Sequence, residues 1–100
     1  MVVGNNVTNL PGLLCYNHSE LVLVDIGTGI KALGEKIFYG CSGLRTIICR
    51  ATTPPTIDSA SVLSTVTKVY VPSTSVSAYK SKAGWSGFGT KIQAIPDSLL

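Results

Sequence analysis

The chain is 100 residues long, 45% hydrophobic and only 13% charged, with a net charge of +3. That length sets one domain with a modest core, and no apolar run approaches the ~18 residues that would span a bilayer. The cations Lys31, Lys36, Arg45, Arg50, Lys68, Lys80, Lys82 and Lys91 are scattered, which argues against the basic stripe of a nucleic-acid surface.

The N-terminus, Met-Val-Val-Gly-Asn-Asn, has neither a basic n-region nor a long apolar segment, so no signal peptide is visible. The chain is then expected to stay where it is made, or to be a fragment, a mature form or a virion component. Residues 1–20 read as a broken first copy of a recurring unit. Val7, Leu10 and Leu13 or Leu14 are its core contacts, and Pro11-Gly12 is a turn signal. Asn6-Val-Thr8 and Asn17-His-Ser19 fit the N-glycosylation pattern, which acts only in a eukaryotic secretory route and recurs by chance.

Leu21–Ile26, Leu-Val-Leu-Val-Asp-Ile, has the alternation of a strand. Gly27-Thr-Gly29 turns the chain. Apolar residues at 30, 33, 37 and 38 follow the helical i, i+3, i+7, i+8 pattern, in a segment long enough for a turn or two. Leu44–Cys49 is the next strand, in which Leu44, Ile47 and Cys49 repeat the positions of Leu21, Val24 and Ile26. The unit between them also keeps register. Ile30, Leu33, Phe38 and Cys41 follow Val7, Leu10, Cys15 and His18 by the same offset, and Tyr39–Leu44 matches Tyr16–Leu21. A fixed period of about 23 residues lies in the range that marks repeat architecture.

Thr52-Thr-Pro-Pro-Thr-Ile57 favours an extended path, because two prolines disfavour helix. Ile57, Val62 and Leu63 are the expected core contacts here, with Asp58 or Ser59 able to cap a turn. Val66–Val71 is a third strand, ended by Pro72. Ser73-Thr-Ser75 offers N-caps to a helix whose face is Val76, Tyr79, Lys80 and Ala83, stopped by Gly84. Trp85 and Phe88 should cover its end. Lys91–Ile95 supplies a last strand, and the tail begins at Pro96.

Gly27-x-Gly29-x-x-Ala32 after a strand mimics the dinucleotide fingerprint, and Arg50 could suit a 2′-phosphate. Against that, the step from Leu21 to Leu44 is shorter than the ~30 residues of a βαβ unit. An NADP-binding enzyme is therefore the weakest reading. The three cysteines, Cys15, Cys41 and Cys49, have no metal-type spacing. Cys15 and Cys41 occupy slots shared with Phe38 and His18, and all three read as buried thiols. His18 reads as packed or capping. The carboxylates Glu20, Asp25, Glu35, Asp58 and Asp97 are scattered, and no G-x-S-x-G elbow occurs.

Residues 26–44, Ile-Gly-Thr-Gly-Ile-Lys-Ala-Leu-Gly-Glu-Lys-Ile-Phe-Tyr-Gly-Cys-Ser-Gly-Leu, resemble the repeat of BspA-like leucine-rich-repeat proteins. Ala51–Ile57, Val69-Tyr-Val-Pro72, Ala78-Tyr-Lys80, Trp85 and Ile92–Ile95 resemble that family's closing repeats. Gly27 departs from the family's usual Pro, and Cys15 from its usual aromatic. The resemblance implies an α/β repeat: a short right-handed leucine-rich-repeat solenoid, with a parallel sheet of about four strands and short helices or turns on the convex side. It implies a single domain over 1–100, with repeats at about 1–20 (partial), 21–43, 44–65 and 66–89 and a final strand at 91–95. It also implies surface-exposed or secreted proteins, mostly of Bacteroidetes, with phage-encoded and protist relatives, that bind proteins, glycans or cells without catalysis.

In such a coil Leu21, Val24, Ile26, Leu44, Ile47, Cys49, Val66, Val69, Val71, Ile92 and Ala94 face inward. The outward positions form two ladders, Leu23–Thr46–Lys68–Lys91 and Asp25–Ile48–Tyr70–Gln93, the candidate ligand-binding surface with Tyr70 as anchor. The expected function is a non-enzymatic protein- or glycan-binding module with no cofactor, metal, nucleic acid or membrane insertion. The alternative is a structural or assembly component that self-associates through exposed solenoid ends.

Overall fold

A computed structural model describes residues 1–14, 16–58 and 65–99. Among them five short strands form one sheet: β1 (Val2–Val3), β3 (Leu23–Ile26), β5 (Thr46–Cys49), β6 (Lys68–Val71) and β7 (Ile92–Ala94). They lie side by side in that order, and every pairing is parallel. The register follows the sequence spacing. Val3 stands opposite Ile26, Ile26 opposite Cys49, Ile47 opposite Val69, and Val69 opposite Ile92. The sheet therefore has one strand more than expected, and the extra one is Val2–Val3. A second, two-stranded parallel sheet pairs β2 (Asn9–Leu10) with β4 (Ala32–Leu33), and Thr56 adds an isolated bridge beside Ala32.

The strands form because β-branched residues alternate in burial. Val24, Ile26, Ile47, Cys49, Val69, Val71 and Ile92 are buried on the inner face. Leu33, Ile37, Phe38, Cys41, Leu44, Ala51, Ile57 and Val66 complete one core, against which Val7, Leu10, Leu14 and Leu21 pack half-buried. At the β7 end Tyr79, Trp85 and Phe88 close the interior. Trp85 meets Tyr79 edge-on at 5.0 Å between ring centres, and its Nε1–H donates to the Pro55 carbonyl at 2.8 Å.

The segment 30–38 is not helical. Its backbone is bonded to its neighbours instead: Lys31 N–H donates to Thr8 O at 2.7 Å, and Leu33 N–H to Thr56 O at 2.9 Å. The apparent helical period arises because a two-residue strand and two turns aim residues inward in the same order. Gly34 lies so close to the backbone of Pro11 and Gly12 that no side chain fits there. Turn geometry recurs as well. Leu13 (φ 58°) and Lys36 (φ 54°) share one slot of the repeat, and Asn17 (φ 64°) and Gly40 (φ 81°) share another. That conformation turns Leu13 out to 48% exposure, which leaves Leu14 as the core contact.

The expected helix is present but short. A 3₁₀ turn (Ser73–Ser75) leads into α1 (Val76–Ser81), in which Tyr79 is buried and Val76 half-buried. Lys80 and Ala83 are exposed, because six helical residues bury only a narrow stripe. Ser75 stands at the N-cap, but its hydroxyl donates to the Thr52 carbonyl at 2.6 Å rather than capping the helix. The chain leaves through Gly84 (φ 88°) into a 3₁₀ segment, Trp85–Lys91. Ala94 is exposed, since it lies on the last strand of the sheet, and Ile95 is buried in its stead. Asp58 receives the Lys36 N–H at 3.1 Å, a link between neighbouring turns. Cys41 and Cys49 are buried. Cys15, Ser59, Val62 and Leu63 lie outside the described residues.

Candidate functional site

The outward face of the sheet carries the predicted ladders. Asp25, Ile48, Tyr70 and Gln93 stand opposite one another across β3, β5, β6 and β7. Leu23, Thr46 and Lys68 form the second row. Parallel pairing fixes these neighbours, and the period-2 alternation of strands puts both rows on one side. Lys91 falls just before β7, as the last residue of the preceding 3₁₀ segment, and is half-buried.

Two residues extend the first row beyond the sequence expectation. Val2, 80% exposed, stands opposite Asp25 and begins the ladder. Arg50, two residues past Ile48, reaches back one strand to Asp25. Its Nε–H donates to Oδ1 at 2.9 Å and its Nη2–H to Oδ2 at 3.0 Å. That carboxylate raises the arginine's pKa, a shift led by the side-chain hydrogen bond. The signals were in the sequence: Val2-Val3 precedes Asp25-Ile26 by one full period, and Arg50 shares the parity of Ile48.

Exposure divides the predicted set. Lys68 and Gln93 are exposed, Leu23 is 38% exposed, and Asp25, Thr46 and Tyr70 are half-buried. Ile48 is only 2% exposed although it lies outside the main core cluster. It packs as the apolar floor of the face and offers a partner no contact surface. The resulting surface has a dry centre, a fixed ion pair on one side, and Tyr70, Lys68 and Gln93 on the other.

A second aromatic feature lies among the turns. Tyr16 and Tyr39 stack with ring centres 5.9 Å apart and planes 8° from parallel, with Lys36 Nζ 5.8 Å from the Tyr39 ring centre. Each tyrosine is about half exposed. His18 is exposed rather than packed, although Cys41 in the same slot is fully buried. Its Nδ1 lies 3.2 Å from Glu20 Oε1. Glu20 is held below the usual carboxylate range, first by a backbone hydrogen bond and then by His18. Gly29, which the dinucleotide pattern would place before a helix, is followed by β4. No helix N-terminus therefore faces a phosphate at that turn.

Among the described residues no three His, Cys, Asp or Glu side chains gather as metal ligands. No helix among them is long and apolar enough to cross a membrane. No protein-family profile matches this chain, and no curated protein is similar to it at a significant level.

Proposed function

We propose that the chain is a short leucine-rich-repeat solenoid of the BspA-like kind and serves as a non-enzymatic binding module at a cell surface or in a secreted protein. The constant register between strands, the recurring turn slots at Leu13/Lys36 and Asn17/Gly40, and the turn-to-turn bonds support a coil of like rungs. A protein or glycan partner meets the outward face, with Tyr70 as anchor and Lys68, Thr46, Leu23, Asp25, Gln93 and Lys91 around it. The observation that carries this reading is the outward row itself. A half-buried tyrosine lies next to a dry isoleucine floor and a fixed ion pair, a rigid surface of the composition that hot spots favour.

The test is a screen of the intact chain against arrayed glycans and extracellular proteins, followed by the Lys68→Ala/Tyr70→Ala double variant. A genuine ligand of this face is expected to bind the variant at least about tenfold more weakly, as loss of a hot spot requires. The variant should keep the same melting temperature. Undiminished binding would show that the partner docks elsewhere.

A second reading has its own observation. Met1, Val2, Val22 and Leu23, all at least 38% exposed, cluster where β1 forms the edge of the sheet. An unpaired edge with apolar neighbours favours assembly. A size measurement at tens of micromolar separates the two: a monomer supports the binding module, an oligomer abolished by Val2→Lys the assembly component.

A further inference from the structure

The cations are scattered in sequence, but the repeat gathers three of them into a row. Arg45 immediately precedes β5, Lys68 opens β6 and Lys91 immediately precedes β7, so three successive strands each begin with one cation. Thr46 stands opposite Lys68, and Val69 opposite Ile92. Lys68 and Lys91 are therefore level, and Arg45 lies one residue nearer the start of its strand. With neighbouring strands ~4.8 Å apart, the three rungs cover ~10 Å. Arg45 and Lys68 are exposed, and Lys91 is half-buried.

No carboxylate answers this row. The ion pairs among the described residues are His18–Glu20 and Arg50–Asp25, so the carboxylate of the outward ladders is already held. Arg45 Nη1–H donates to the neutral carbonyls of Ser42 and Leu44, at 3.2 and 3.3 Å. The imbalance extends beyond the row. Residues 1–58 hold four Lys or Arg and four Asp or Glu, whereas residues 59–100 hold Lys68, Lys80, Lys82 and Lys91 against Asp97. The net charge of +3 therefore belongs to the part of the chain that carries β6 and β7. Like charges level on neighbouring strands are destabilising, and an anion laid along the row offsets that repulsion. Tyr70 lies two residues beyond Lys68, on the same side of the sheet.

We propose that the row receives an acidic helix of a partner protein. An extended peptide repeats its side chains on one face every ~6.7 Å, so three of them span ~13 Å. On an α-helix the positions i, i+4 and i+7 share one face and span ~10.5 Å, which matches the three rungs. A helix ~10 Å across, lying along the row, also reaches Tyr70. Its acidic stripe meets Arg45, Lys68 and Lys91 while an adjoining apolar stripe packs on the tyrosine. The inference rests on the sheet-face reading and narrows the partner of that face to a protein of this charge and shape.

The test is a titration of the ¹⁵N-labelled intact chain, at low salt, with a helical peptide carrying glutamates at i, i+4 and i+7 beside a leucine stripe. Its glutamine counterpart and a heparin fragment are run in parallel. The glutamate peptide is expected to give saturable amide shifts around Arg45, Lys68, Tyr70 and Lys91, and to weaken as salt screens the charges. The glutamine peptide should bind at least about tenfold more weakly, as should the Arg45→Gln/Lys68→Gln/Lys91→Gln variant with the glutamate peptide. Lys68→Glu, a single change at an exposed residue, should lose binding with its amide dispersion intact. Lys31→Gln/Lys80→Gln/Lys82→Gln removes the same charge elsewhere and should bind like the parent. Tyr70→Ala separates the two readings: if it binds the peptide normally while the row variants do not, the row stands and the anchor falls. The proposal is overturned if the two triple variants weaken binding equally, if the glutamine peptide binds as well, or if heparin alone shifts the row. It is also overturned if a ligand lost by Tyr70→Ala is retained by Lys68→Glu, in which case the sheet-face reading survives without it.

Discussion

Arg50 and Asp25 close a bidentate pair across two neighbouring strands, at 2.9 and 3.0 Å, with 26% and 22% of their side chains exposed. The arrangement pins the outward face diagonally: Asp25 stands opposite Ile48, and Arg50 lies two residues beyond it. Planar guanidinium against planar carboxylate also fixes orientation, which an ammonium group cannot do.

Arg50→Ala should therefore destabilise the chain by about 1 kcal/mol, the upper end for accessible ion pairs. Arg50→Lys should recover less than half of that, because the fork is lost. In 1 M salt the difference between parent and Arg50→Ala should shrink as screening shortens to ~3 Å. Urea midpoints of the three proteins at two salt concentrations check this. Equal stability of Arg50→Ala and the parent at low salt would remove the pair from the list of contributors.

Tyr79 and Cys49 meet inside the core, where the Tyr79 hydroxyl lies 3.3 Å from Sγ and donates to the Ala51 carbonyl at 2.6 Å. Burial, chiefly, pushes both groups' pKa values up. In the unfolded chain they lose protons near their ordinary values, ~8.5 for Cys and ~10 for Tyr. Between the unfolded and folded values the native state holds the extra proton, so stability is complete below the unfolded values and falls as pH rises. The expected slope approaches about 1.4 kcal/mol per pH unit for each group. Urea denaturation from pH 7 to 11 should show that decline, and Tyr79→Phe should flatten its upper part. At neutral pH the same variant should cost about 1–3 kcal/mol, since the Ala51 carbonyl is left buried without its donor. A pH-independent midpoint would contradict the assignment.

Gly40 and Asn17 hold the same turn slot at positive φ, 81° and 64°. A Cβ on Gly40 would come within 2.7 Å of the Tyr16 ring. Gly40→Ala should cost about 1–2 kcal/mol for the left-handed conformation, with loosening of the Tyr16–Tyr39 stack. Asn17→Gly should change stability by only a few tenths of a kcal/mol, glycine tolerating that φ. Thermal melts of both, with tyrosine fluorescence to follow the stack, make the comparison. Similar effects from the two substitutions would mean that the slots are not equivalent.

The 23-residue spacing between strands, the parallel sheet and the inward strand residues other than Ala94 were legible in the sequence. Burial repeats wherever identical slots repeat, and strand alternation then fixes which side each residue takes. The ladders of the candidate face followed from the same alternation. What needed the tertiary structure was everything decided between neighbouring turns. Segment 30–38 has a helical pattern, yet the amides of Lys31, Ala32 and Leu33 bond to Thr8 and Thr56 on neighbouring chain segments, partners that no local period reveals. Ile48 has the parity of an exposed residue and is nonetheless dry. His18 shares a slot with a buried cysteine and stands in solvent. The parity of Arg50 puts it on the outward side, but only the pairing of β3 with β5 brings it to Asp25, 25 residues away in sequence. A sequence states which slot a residue occupies. Only packing states whether a neighbour comes to cover it.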